Sequence, residues 1–211
     1  CNAGIESVHR TAQGVRLRFS DGTFEDFDEV VFACHAPEAL ALLADAAEPE
    51  TRILSGFRTQ PNRVILHRDE TLMPIRKAAW AAWNYRARQA DSLQLSVTYW
   101  MNALQRLETT TNYFVTLNPE QEPTPDKVEQ EFVYNHPVFD GRAMQAQREI
   151  WSIQGHRNTW FCGAWQGYGF HEDGIQSGLA VAELLSDWKR PWAFDYSKER
   201  LARPEAGKVS A

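Results

Sequence analysis

The sequence predicts an α+β fold on three observations: a meander of short strands over residues 5–34, a second series of strands between polar connections over residues 63–117, and a strand–loop–helix unit starting near residue 159. Strands that follow one another in runs, instead of alternating with helices, build antiparallel sheet. The chain can bury a core: 211 residues, 43% hydrophobic, with 8 Trp, exclude a disordered tail and a disulfide-stapled mini-protein.

In chain order, Ile5 to Arg10 reads as the first strand. Val15, Leu17 and Phe19 alternate with Arg16 and Arg18 to form the second, and Ser20-Asp21-Gly22-Thr23 supplies the turn before a third at Phe24 to Phe27. Val30 to Cys34 is continuously apolar, the pattern of a strand buried on both faces within a parallel sheet. Pro37, at a first-turn position beside Glu38, opens a helix whose apolar side is Ala39, Leu40, Leu42 and Leu43. From about residue 49 the texture changes, and residues 63–69, 79–86, 93–100 and 113–117 read as strands of an antiparallel sheet. Thr124-Pro125 opens a helix expected to run through Val133 and to be closed by Asn135-His136-Pro137. A second helix is expected over Ala143–Trp151, and Lys198–Ala211 reads as a polar tail.

Charge and cysteine usage narrow the function classes. Against 28 Asp+Glu there are 22 Lys+Arg, a net charge of −6 without a basic stripe, so nucleic acid is not an expected partner. No run approaches the roughly 18 apolar residues of a membrane helix. Cys1, Cys34 and Cys162 are far apart and form no CxxC pair, which points to reduced thiols in a cytoplasmic setting rather than to a disulfide scaffold or a zinc site. The chain opens on Cys-Asn-Ala-Gly and runs straight into a strand pattern, the expectation for a piece of a longer protein.

The last third carries the most chemistry. A short apolar strand ends at Gly163, a loop with Gly167, Gly169 and three aromatics follows, and then Ile175, Leu179, Ala182, Leu185 and Trp188 keep helical spacing. The first N–H groups of such a helix lack internal partners and carry partial positive charge, a ready site for an electron-rich ligand atom. Its plainer reading is an ordinary capped helix with Asp173 as the cap. Glu172 and Asp173 beside His171 do not make a metal site, since adjacent residues do not converge as ligands do.

Phe161-Cys162-Gly163-Ala164, followed by Gly167-Tyr168-Gly169-Phe170-His171-Glu172-Asp173-Gly174 and Ser177-Gly178, resembles the carboxy-terminal flavin-binding motif of FAD-dependent amine oxidase-like proteins, within them the bacterial predicted NAD/FAD-binding proteins. Ile5 to Arg10, Asp21-Gly22-Thr23, Glu29 to Ala36, Trp80 to Tyr85 and His136 to Asp140 are similar to other segments of that family, so the resemblance covers nearly the whole chain. It implies the carboxy-terminal part of a two-domain α/β FAD-binding oxidoreductase: residues 1–48 and 152–190 from the FAD domain, 49–151 from the substrate domain, and 191–211 as the tail. The family's opening GxGxxG turn is missing here, and without that half the chain alone is expected to be inactive and to hold FAD poorly.

The resemblance implies a cofactor-binding set of Ile5, Gly163, Ala164, Glu172, Asp173, Gly174, Ile175 and Gly178, with Ile5 at the adenine end and the amides of residues 172–175 facing the N1–C2 carbonyl edge of the flavin. Tyr168 and Phe170 are expected to wall the ring or to pack in the core, and His171 to relay protons or to serve structure; no catalytic residue is assigned beyond these three candidates. Trp80, Trp83, Tyr85, Tyr99 and Trp100 read as sheet core or as the lining of an apolar substrate cavity, while His67 and Lys77 stay unassigned. The implied function is hydride transfer from a C–N or C–C bond of a small or lipid-like apolar substrate to FAD. The alternatives are a lipid desaturase- or isomerase-like flavoenzyme, and a non-catalytic remnant that binds or self-associates through the face the missing half leaves bare.

Overall fold

The computed structural model describes residues 3–87, 95–193 and 200–202, so Cys1 and most of the expected tail lie outside the described residues. The fold is α+β, with ten strands and five α-helices among the described residues, arranged in two compact units: Cys1–Thr59 with Pro137–Ala211, and Gln60–His136.

In the first unit, β1 (Ile5–Arg10), β2 (Val15–Phe19) and β3 (Phe24–Phe27) form the antiparallel meander in the order β1-β2-β3. β4 (Val30–Phe32) then pairs in parallel with β10 (Thr159–Phe161), placing Phe32 opposite Phe161 with their rings stacked 5.5 Å apart. The expected burial of β4 on both faces does not hold: Val31 is 41% exposed. A strand with one described neighbour offers its alternate side chains only one packed face. Helices α1 (Ala36–Leu42), α2 (Glu48–Leu54), α4 (Gly141–Glu149) and α5 (His171–Leu185) complete the unit around a core that includes Val8, Val15, Phe32, Ile53, Phe161 and Trp165. In α1, Pro37 sits in the first turn, where its missing N–H costs nothing, and the Glu38 carboxylate accepts the His35 N–H at 3.1 Å.

One charged cluster is embedded in this core. The Arg10 guanidinium donates to both Glu50 carboxylate oxygens, at 2.7 and 2.9 Å, and its Nε donates to Asp45 at 2.6 Å. The second Glu50 oxygen also accepts the Ala47 N–H at 2.7 Å, so one carboxylate starts α2 and neutralises a buried cation. Burial pushes the Glu50 carboxyl up, and Arg10 with the Ala47 amide outweighs it, holding the group below the usual carboxylate range.

In the second unit a sheet runs in the order β6-β7-β8-β5-β9, built from β5 (Arg58–His67), β6 (Trp83–Ala87), β7 (Leu95–Trp100), β8 (Phe114–Leu117) and β9 (Val128–Val138), with the short helix α3 (Met101–Gln105) after β7. The pairings β6–β7, β7–β8 and β5–β8 are antiparallel. Here the expected helix from Thr124-Pro125 to Val133 is overturned: a single 3₁₀ turn, Pro125–Lys127, leads directly into β9. The β-branched and aromatic residues Val128, Phe132, Val133, Tyr134 and Val138 favour the extended chain, and the Phe132 and Tyr134 rings stack at 5.5 Å as i, i+2 neighbours on one strand face. Pro137 does not end the element because β9 is an edge strand, where a missing N–H is tolerated.

Candidate functional site

The strand–loop–helix unit places the expected site residues at the start of α5. β10 ends at Phe161, Ala164–Gln166 makes one 3₁₀ turn, and residues 167–170 form a loop that enters the helix through Phe170. Three side chains hold this loop. The Asp173 carboxylate, fully buried, accepts the N–H groups of Tyr168 at 3.1 Å and Phe170 at 2.9 Å. Gln147 donates to the carbonyls of Trp165 and Gly167, at 2.9 and 2.6 Å. The Ser177 hydroxyl accepts the Gly163 N–H at 2.9 Å, tying the end of β10 to the second turn of α5.

Gly163 and Gly167 show how this geometry demands glycine. Gly163 has φ +153°, and a Cβ there would lie 2.4 Å from the Trp165 indole nitrogen. At Gly167 a Cβ would lie 2.6 Å from the buried Asp173 carboxylate, so the loop approaches its own anchor closely only because the side chain is absent. By contrast, a Cβ at Gly178 would meet nothing within 4 Å.

The structure divides the ligand-facing amides expected at residues 172–175 and adds that of His171, outside the expected set, to the open ones. Those of Asp173 and Gly174 bond back to the Phe170 carbonyl, at 3.0 and 3.2 Å. The amides of His171 and Glu172, the first two of the helix, have no protein acceptor among the described residues. Asp173 is not the N-cap expected of a capped helix: Phe170 takes that position, and Asp173, three residues on, reaches back to it. Around the helix start Tyr168, Phe170 and Ile175 are 65%, 52% and 59% exposed, so none of the three packs in a core. Glu172 accepts from Gln176 at 2.7 Å, and His171 is exposed. The Gly163–Ala164 turn lies against this first turn, since a Cβ on Gly174 would be 3.7 Å from the Ala164 nitrogen. Ile5 is a half-exposed residue at the head of β1, paired with Phe19.

This donor set suits a flavin edge better than a phosphate. Two acidic residues, Glu172 and Asp173, already occupy the first turn and offset the positive end of the helix dipole, which disfavours a dianion. A neutral carbonyl oxygen gains from two open amides without that repulsion, and the exposed Tyr168 and Phe170 rings offer flat apolar surface beside it.

The second unit contains a separate polar centre. His67 is fully buried; its Nδ1 accepts the Asp69 N–H at 3.1 Å, and its Nε2 lies 2.8 Å from the Thr116 hydroxyl, which lies 2.9 Å from the Thr98 hydroxyl. Asp69 in turn accepts from the amides and hydroxyls of Thr71 and Thr124. Burial drives the His67 imidazole from 6.5 down to about 4, against the opposing pull of Asp69. Between those values the unfolded chain takes up a proton that the folded chain refuses, so the His67 contribution is intact above pH 6.5 and is lost as pH falls toward 4. The loss expected below pH 4 is about 3 kcal/mol, and urea unfolding from pH 7 to pH 4 should show a shallower pH slope for His67→Gln than for the native chain. Lys77, the other polar residue left unassigned above, is exposed and pairs with Glu70 at 3.1 Å while covering the Trp80 ring.

Trp83 and Tyr85 project from one face of β6 and are 42% and 61% exposed, with Tyr99 edge-on to Trp83 at 5.1 Å. Trp80 and Trp100 instead pack edge to face at 5.2 Å and are half-buried. Gln147 and the Thr98–Thr116 pair had no signal in the sequence, because each acts on a residue of another element, and Ser177, though part of the quoted motif, carried no sign of its bond to Gly163.

No family model and no curated protein matches the sequence. Among solved structures the chain is similar to a CLA-producing fatty acid isomerase from P. acnes, with TM-score 0.57 and 16% identity over 89% of this chain and 47% of that one. It is also similar to a reduced UDP-galactopyranose mutase, with TM-score 0.57 and 10% identity over 88% and 47% of the two chains. A putrescine oxidase redesigned in its cofactor binding gives TM-score 0.57 and 9% identity over 89% and 49%. The chain thus spans about half the length of each of these enzymes, and at such identities what it shares with them is the fold.

Proposed function

We propose that this chain supplies the ring-facing loop and the substrate sheet of an FAD-dependent oxidoreductase of the amine oxidase-like superfamily, acting on a C–N or C–C bond of an apolar substrate. The observation that carries the reading is the first turn of α5, where two amides are open beside exposed aromatic rings on a loop locked from within by Asp173. Fold likeness to an isomerase, a mutase and an oxidase supports it. When bound, FAD would accept the hydride and carry the redox chemistry. The amides of His171 and Glu172 would donate to the carbonyl edge of the ring, where negative charge gathers during reduction. Tyr168 and Phe170 would shield one side from water, and residues 1–48 with 152–190 would belong to the cofactor side of the enzyme, 49–151 to the substrate side. The exposed Trp83 and Tyr85 face favours an apolar or lipid-like substrate over a small polar amine.

The test is FAD titration of the purified protein followed by flavin fluorescence, in the native chain and in Glu172→Pro. Proline is tolerated in a first helical turn but has no N–H, so the variant removes one donor and keeps the helix. Saturable quenching that Glu172→Pro weakens about tenfold is the expected result, the effect of losing one hydrogen bond to the ring carbonyl. Equal affinity in the variant overturns the proposal, and no uptake of FAD even at high concentration favours the non-catalytic remnant.

A further inference from the structure

The hydroxyl chain in the second unit has a direction. The Nδ1 of His67 is occupied as an acceptor by the Asp69 N–H, so the neutral ring carries its proton on Nε2 and donates to Thr116. Geometry permits either hydroxyl of the Thr116–Thr98 pair as donor; with Thr116 accepting from His67, its own proton is bonded when it donates to Thr98, and in that sense the Thr98 hydroxyl has its own proton left. Among the described residues no protein acceptor takes it, although Thr98 is only 4% exposed. A buried donor without an acceptor is costly, and Thr98 borders a crevice of about 110 Å³ that Asn84, Arg86, Ser96, Glu120 and Gln121 also line.

We propose that this crevice binds a small carboxylate, with the Thr98 hydroxyl as its inner donor and the Arg86 guanidinium as its outer one. The volume is more than three times the ~30 Å³ share of one water molecule, enough for a carboxylate with a short stem. Arg86 has no acidic partner among the described residues and stands opposite Ser96 in the β6–β7 register, on the sheet face that also bears Thr98. The remaining polar groups do not compete. The Asn84 amide nitrogen is committed to the carbonyls of Ala81 and Thr98, and the Ser96 hydroxyl donates to the Leu117 carbonyl at 3.3 Å. Among the described residues Glu120 is the one carboxylate on the lining, and it is exposed, where water screens charge. An anionic acceptor at Thr98 also gains from the relay behind it, because each hydroxyl polarises the next from His67 outward.

Acetate is the probe. It is titrated into ¹⁵N-labelled protein at pH 7 against sodium chloride of equal ionic strength, and the Thr98 amide and Arg86 Nε–H resonances are followed. Saturable shifts with acetate and not with chloride are expected, about tenfold weaker in Arg86→Gln and absent in Thr98→Val, while Thr98→Ser keeps them. Arg86 is exposed, so its variant folds whatever happens to the buried threonine. A crevice filled by ordered water alone gives no saturable shift and overturns the proposal, as do shifts common to both salts or unchanged in Arg86→Gln.

Discussion

Glu50→Ala is expected to cost the first unit about 3–5 kcal/mol, the range for removing one partner of a buried ion pair. Both Glu50 and the Arg10 side chain are shut away from water, so the variant leaves Nη1 without an acceptor and keeps only the contacts of Nη2 and Nε to Asp45. It also strips the Ala47 amide of its acceptor at the start of α2. Urea unfolding monitored by tryptophan fluorescence reads the loss. A paired replacement, Arg10→Met with Glu50→Leu, should recover most of it, since an apolar pair of similar volume removes the desolvation cost with the charges. Equal losses in the single and paired variants would mean that packing volume, not charge, is what Glu50 provides.

Asp173→Ala is expected to cost about 2–3 kcal/mol and to loosen the loop at residues 167–170 before anything else. The carboxylate is the acceptor for two loop amides, Tyr168 and Phe170, and water cannot replace it in a fully buried position without entering the protein. Hydrogen exchange should show those two amides losing protection while the middle of α5 keeps it. Should both stay protected, the loop is held by Gln147 and Ser177 instead. In the proposed enzyme the same variant would displace the rings of Tyr168 and Phe170 from the cofactor, so flavin affinity should fall with loop order.

The sequence and the structure agree where local pattern decides. Alternation over Val15 to Phe19, the Asp21-Gly22 turn and Pro37 beside Glu38 each specify geometry within a few residues, and the meander and α1 follow. Helical spacing from Ile175 to Leu185 likewise marks α5. Pattern misled at Thr124-Pro125, where a helix-start signal is real but covers only one 3₁₀ turn, and the β-branched residues after it take the chain into an edge strand. The candidate site was legible as a type, a glycine-rich loop before a helix, and not as a mechanism. Which amides stay open depends on Phe170 taking the cap position and on Asp173 folding back, a choice that both residues' chemistry permits in either sense. The threonine relay was illegible altogether, because His67, Thr116 and Thr98 meet only through the register of three strands.

The parallel pairing of β4 with β10 sets a timetable for biosynthesis. Phe32 leaves the ribosome long before Phe161, its stacking partner, and at about 5–20 residues per second the wait is on the order of ten seconds. Throughout that interval the nascent meander presents an unmated apolar strand to solvent or to a chaperone, while the intervening sheet can already close on itself. Synonymous codon changes that slow translation between the two strands should therefore lower soluble yield without altering the finished molecule.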